Sequence, residues 1–236
     1  MTEHTVKAFD EDLGRISADV ARLGGLAEAQ VVEAIQAVVR RELPLADQVV
    51  ARDRKLDELD AEVEANAIRL IALRQPMAHD LRQVVSAMKI SGELERIGDL
   101  AKNIAKRAVV LAAAEPVTPL TRSIERMGKL VASRLKEVLD AQARRDVARA
   151  VSVWSRDDEV DEHYDSLFRE LLTYMMGDPR TIQAGAHLLF VAKNLERIGD
   201  HATNIAELVH YELTGEQLGI DRPKMDALRP GGDPAP

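Results

Sequence analysis

Apolar side chains recur three and four positions apart through most of the chain, the spacing that gathers one face of an α-helix. Proline and glycine interrupt this pattern rarely, so the segments are long. Six helices are predicted. The first runs from about Phe9 to Glu42, with Leu13, Ile16, Val20, Leu23 and Ala27 on one stripe. The second starts near Pro44, a favoured residue for a first turn, and runs to Arg74 with Leu56, Leu59, Val63 and Leu70 on one face. Gln75-Pro76 breaks it, because the residue before proline is pushed out of helical geometry. The third runs from about Met77 to Ala113, and its stripe is Ile90, Leu94, Ile97, Ala101, Ile104, Ala108 and Leu111. Alternation of four and three marks a helix buried along one seam. Pro116 and Pro119 mark a linker. The fourth helix spans about Leu120 to Ala143, and the fifth about Asp146 to Met176, ending at Gly177-Asp178-Pro179. The sixth continues to about Leu213, with Gly215 as its cap.

The pattern repeats. Residues 93–107 read ELERIGDLAKNIAKR and residues 194–208 read NLERIGDHATNIAEL, with ten of fifteen positions identical at an offset of 101. The seam repeats as well, as Val191, Leu195, Ile198, Ala202, Ile205 and Val209. Helical periodicity alone does not produce a shared LERIGD. The expected fold is all-α: two tandem, internally repeated antiparallel three-helix bundles over residues 1–115 and 119–214. A Pro/Gly-containing tail, 215–236, follows, loose from about Asp221.

Each repeat carries acids four residues apart, which places them on one helix face. The pairs are Asp53 with Asp57, Glu95 with Asp99, Asp157 with Asp161, and Glu196 with Asp200. Spacing alone says little in an acidic chain, but register says more. Asp57 lies 18 residues before Gln75 and Glu95 lies 20 after it; Asp53 and Asp99 lie 22 before and 24 after. Around Asp178, Asp161 and Glu196 lie 17 before and 18 after, and Asp157 and Asp200 lie 21 before and 22 after. At roughly 1.5 Å of rise per residue, each hairpin can bring four carboxylates to one level. Such a group repels itself unless neutralised. A hard or intermediate cation such as Mg, Mn or Fe would suit oxygen ligands, with amide oxygens from Asn103 and Asn204. The alternative is a pair of solvated faces with Arg96 and Arg197 as counter-ions. These arginines could equally hold the carboxylates in place or pair across a subunit interface. Gly98 and Gly199 interrupt helical runs beside the acids and suggest close helix approach. A single Glu-x-x-His, Glu207 with His210, lacks the second copy on a facing helix that a di-iron bundle needs.

The remaining composition narrows the function classes. Of the 236 residues 46% are hydrophobic and 31% charged, and the net charge is −8. That balance argues against nucleic acid and against direct adhesion to anionic lipid. Cysteine is absent, which excludes disulfides, thiolate metal sites and a cysteine nucleophile. No basic start leads into an apolar run, and the longest apolar stretch, Ala108 to Ala114, is too short to span a bilayer. Membrane contact would run only through partners. No phosphate-cradling glycine loop or nucleophile elbow is present, so catalysis is not expected.

The stretch LIALRQPMAHDLRQVVSAMKISGELERIGDLAKNIAKR, residues 70–107, resembles the most characteristic part of the PhoU family, and NLERIGDHATNIAE, residues 194–207, is similar to its second copy. The resemblance reaches to about Tyr211. It implies two three-helix bundles in a cytoplasmic, often homodimeric protein. It further implies a non-enzymatic negative regulator of phosphate uptake and of phosphate-starvation signalling. Its implied partners are the ATPase subunit of the high-affinity phosphate transporter and a phosphate-responsive sensor histidine kinase. Some members carry multinuclear metal clusters on acid-x-x-x-Asp motifs, which fall here on the four pairs named above. A metal-binding or metal-storing protein, with carboxylates that bind phosphate or redox-active iron, is the alternative.

Overall fold

The computed structural model describes residues 3–114 and 118–219. Its helices are α1 (Glu3–Arg40), α2 (Leu43–Arg74), α3 (His79–Ala113), α4 (Thr118–Arg144), α5 (Val147–Trp154), α6 (Asp158–Gly177) and α7 (Ile182–Thr214), with a 3-10 turn at Pro179–Thr181 before α7. No strand occurs among the described residues. The tail expected from Asp221 and the linker residue Pro116 lie outside them. Pro119, expected in that linker, lies in the first turn of α4, where its missing N–H costs nothing.

α1, α2 and α3 pack as one bundle, and α4, α5–α6 and α7 as a second. The seam residues from Ile90 to Ala108 on α3, and from Val191 to Val209 on α7, are buried. Each such Leu or Ile contributes roughly 1.5–3 kcal/mol relative to exposure. The bundles meet along α3 with α7 and along α1 with α4. The second contact is reciprocal. Gly24 of α1 lies under Leu139 of α4, and Gly128 of α4 lies under Ile35 of α1. Both pairs are related by an offset of 104, so residue and knob exchange roles as a two-fold axis requires. A Cβ on either glycine would stand under 3 Å from the opposing side chain.

Matching turns close the first hairpin of each repeat. Arg41 and Arg145 are left-handed, at φ 58° and 53°. The N–H groups of Glu42 and Asp146 then reach back to Ala37 O at 3.1 Å and Ala141 O at 2.9 Å, the long bond of a Schellman close. This stops α1 at Arg40, short of the expected Glu42. α3 starts two residues later than expected, because Gln75 and Ala78 both take positive φ to reverse the chain.

The expected fifth helix is interrupted. Between α5 and α6 the bonds tighten to i→i−3, with Arg156 N on Val153 O and Val160 N on Asp157 O. Two side chains compete for one carbonyl of α5: Ser155 Oγ and Arg156 Nε both donate to Ser152 O. Such local bonding offers the backbone an alternative to the helix ladder. The break takes in residues 155–157 and so includes Asp157, whereas α2 runs unbroken through the corresponding Asp53.

Candidate functional site

The two carboxylate groups lie where α2 faces α3 and where α6 faces α7. Gly98 and Gly199 let these helices approach. A Cβ on Gly98 would stand 2.6 Å from Leu56 Cδ2 and 3.2 Å from Gln30 Oε1, and one on Gly199 would stand 3.1 Å from Val160 Cγ1. Beside them a second repeated bond ties the first two helices of each bundle. Gln30 Nε2 donates to Val49 O at 3.2 Å, and Arg134 Nη1 donates to Val153 O at 3.3 Å. Arg134 is buried and also bonds Glu159 at 2.5 Å.

In the first group, Asp53 and Asp57 of α2 face Glu95 and Asp99 of α3. Burial, then Asp53, Asp99 and Asp60 push the Asp57 carboxyl above its ordinary value, against the pull of Lys102. Burial, then Asp99, Asp57, Asp60 and Asp53 do the same to Glu95. The matched heights thus bring these four acids within electrostatic reach. Asp60, three residues past Asp57, joins them while accepting a bond from Ser91 Oγ at 2.5 Å. A lysine sits among them. Lys102 Nζ pairs with buried Asp53 and lies 2.5 Å from Asp99 Oδ1. Burial works against this ammonium, but its bonds to Asp53 and Asp99 outweigh that and hold its pKa above the ordinary lysine value.

In the second group the position of Lys102 is taken by Thr203. Its hydroxyl donates to Asp157 Oδ1 at 2.6 Å, and both residues are buried. A hydroxyl satisfies one lone pair and carries no charge. Burial, then Asp157, Glu196 and Asp200 raise Asp161 to about 6, with Lys193 pulling the other way. Lys193 Nζ lies 2.6 Å from Glu196 Oε1 at the rim, half exposed, and above the Tyr164 ring at 5.3 Å. Glu196 Oε2 is buried without a hydrogen-bond partner. As they stand, no three His, Asp or Glu side chains among the described residues are arranged to hold one ion. The donor chemistry of the second group nevertheless fits a hard cation: oxygen ligands only, an orphaned carboxylate oxygen, and no ammonium at the centre.

The other expected residues go elsewhere. Asn204 Nδ2 donates to Glu93 Oε2 at 2.9 Å, alongside His201 Nδ1 at 2.7 Å. This contact joins the two bundles. Burial opposes the Glu93 charge, but its bonds to His201 and Asn204 prevail and hold its carboxyl below the usual range. Arg96 is mostly exposed and lies 3.8 Å from Glu93, not against Glu95 or Asp99. Asn103 and Arg197 are exposed. Glu207 accepts from Trp154 Nε1 at 3.1 Å, and His210 Nδ1 lies 2.9 Å from Glu216 O at the end of α7. Sequence reasoning missed Lys102, Thr203, Lys193 and Asp60. The signal for the first two was in plain view, as the K-to-T mismatch three residues past each aspartate of the repeated motif.

Residues 20–108 and 124–209 match the PhoU domain. A relative from Caulobacter vibrioides strain NA1000, "Phosphate-specific transport system accessory protein PhoU homolog", is 66% identical over 97% of this chain and 99% of its own length. One of the same description from Rhizobium meliloti is 48% identical, over 94% of each. The crystal structure of PhoU from Pseudomonas aeruginosa superposes with a TM-score of 0.83 at 38% identity, covering 88% of this chain and all of that one. The phosphate transport system regulatory protein PhoU from Streptococcus pneumoniae gives 0.81 at 29% identity, covering 90% and all of its chain. With the domain matched twice, in the two bundles that carry the repeated motif, the chain belongs to the PhoU family.

Proposed function

We propose that this protein is a non-catalytic accessory of a phosphate-specific transport system. It restrains phosphate uptake and keeps the starvation response off when phosphate is plentiful. It acts in the cytoplasm, as a homodimer, by binding the ATPase subunit of the transporter and a phosphate-responsive sensor histidine kinase. The observation that carries this reading is the near full-length identity to relatives described as accessory proteins of that system. No helix among the described residues is long and apolar enough to cross a membrane, which accords with reaching the membrane through partners. The test is a deletion strain grown in phosphate-rich medium. Phosphate uptake and starvation-gene expression should both rise and be restored by the gene in trans. Normal values of both would overturn the reading.

A metal-binding component is favoured by one further observation, the orphaned Glu196 oxygen among acids that lack a central ammonium. Asp157, Asp161, Glu196 and Asp200 would hold a Mg, Mn or Fe ion, or a cluster of them, after side-chain adjustment. The ion would supply the positive charge that this group lacks. At Asp53, Asp57, Glu95 and Asp99 the charge of Lys102 already serves part of that purpose, and metal there would have to displace it.

A further inference from the structure

Away from both carboxylate groups, near the turn at Gln75, α1 and α2 enclose an open cleft of about 450 Å³. That volume lies in the range of small-molecule sites. Three guanidinium groups line it: Arg15 from α1, and Arg69 and Arg74 from α2. Leu70 and Leu73 give it an apolar side.

The donors there exceed the acceptors. Asp12 accepts from Arg15 and, at 3.3 Å, from Arg74 Nη2, so one carboxylate serves two arginines. Arg74 Nε is buried and has no acceptor. Arg69 is exposed and has no ion-pair partner among the described residues. Asp19 also lines the cleft, so three arginines and two aspartates leave one net positive charge. Water can satisfy a buried N–H, but only an anion supplies acceptor and counter-charge together. Donors reach the cleft from both walls, which suits a tetrahedral oxyanion with acceptors in several directions better than a planar carboxylate.

The bundle architecture does not require this set. By the offset of 104, Pro119, Thr173 and Asp178 replace the three arginines in the second repeat. There Ser123 and Glu170, the counterparts of Asp19 and Asn66, bond to each other at 2.7 Å across the corresponding space. The arginines are a property of this hairpin alone.

We propose that the cleft binds a phosphate group, free or as a small monoester, through Arg69 and Arg74. Asp12 holds Arg74 in place, and Leu73 offers a surface to an ester's organic body. This does not rest on the transport reading or on metal binding. The test is calorimetric titration of the full-length, chelator-treated protein at low salt with inorganic phosphate and with phenyl phosphate. Saturable binding of one ligand per chain is expected, weakened by added salt. Arg69→Gln should weaken it about tenfold, the loss of one charge-assisted bond, with an unchanged thermal midpoint because Arg69 is exposed and unpaired. Asp19→Asn should tighten it by removing a repelling charge. Tighter binding of phenyl phosphate identifies a monoester, and equal binding identifies free phosphate. No saturable heat for either probe, or affinity indifferent to Arg69→Gln, overturns the proposal. So does weaker binding in Asp19→Asn. Binding seen only in metal-loaded protein places phosphate at the carboxylates and likewise overturns it.

Discussion

The two carboxylate groups share a motif, a register and a glycine notch, yet they solve the problem of converging negative charge differently. In the first, Lys102 puts an ammonium against Asp53 and Asp99. In the second, Thr203 offers a hydroxyl, the nearest lysine stays at the rim, and the helix breaks at Asp157 itself. The first group carries its own counter-ion. The second leaves Glu196 Oε2 orphaned and Asp161 raised to about 6. Repetition of a motif therefore does not repeat its electrostatics. One substitution three residues beyond the shared aspartate changes what the group asks of its surroundings.

The largest expected effect follows from that difference. Mn²⁺ at about a hundred times its Kd should stabilise the chelator-treated protein by about 2.7 kcal/mol, the linkage value for one site. Thermal melts and metal analysis after dialysis would both report it. Glu196→Gln should abolish the gain and Glu95→Gln should keep it. Lys102→Thr should add metal at the first group. Equal loss from the two glutamate changes would erase the distinction between the groups.

Next in size is the lysine itself. Lys102→Met removes both bonds and leaves Asp53 buried without its cation, which should cost about 2 kcal/mol in urea unfolding, a figure reduced for the partial exposure of the lysine. Thr203→Val removes one hydrogen bond to Asp157 and should cost about 1 kcal/mol. Similar losses from both would mean that Lys102 contributes as a hydrogen-bond donor and not as a charge.

What the sequence disclosed, and what it withheld, follows the same division. The three-and-four spacing of α3 and α7, the repeat and the hairpin turns rest on periodicity and on residues with strong backbone preferences, and all were legible. So was the matched height of the acids, which needs only the rise per residue. The break at 155–157 was not, because it arises from Ser155 and Arg156 competing for one carbonyl. Nor was the early end of α1, since arginine at a left-handed position carries no sequence signature. The role of Lys102 needed the rotation of α3 about its axis, which turns that side chain toward Asp53. The corresponding rotation of α7 turns Asn204 toward Glu93 on the other bundle. Height is one-dimensional and can be counted; facing direction depends on packing of all three helices.

The glycine notches predict a smaller contrast. Alanine gains roughly 1 kcal/mol over glycine in a helix interior. At Gly199 the new methyl meets Val160 at 3.1 Å, so gain and crowding should nearly cancel. At Gly98 it meets the buried Leu56 at 2.6 Å and Gln30 at 3.2 Å, and overpacking should leave a net loss of about 1 kcal/mol. Urea midpoints of Gly98→Ala and Gly199→Ala would compare the two interfaces directly. Equal midpoints would show that Leu56 yields without cost, and that the first hairpin is no tighter than the second.

The smallest effect is in pH, because Asp161 is partly solvated and its interactions are screened. Its carboxyl is raised from 3.8 to about 6 in the folded protein. The folded state therefore binds this proton more tightly than the unfolded chain. The resulting stability is fully present below about 3.8 and is lost as pH rises through about 6. Asp161→Asn keeps a neutral side chain at every pH. In chelator-treated protein, the variant should match the wild type near pH 4 and melt higher at pH 7.5, with the difference opening between those values. Asp57→Asn should show a smaller difference, because Lys102 already opposes the rise at Asp57. With saturating Mn²⁺ at pH 7.5 the order should reverse, since the wild-type carboxylate then gains a cation that the amide cannot hold as well. A difference that stays flat from pH 4 to 8 would mean that the second group is not under carboxylate pressure, and the contrast with the first would lose its electrostatic basis.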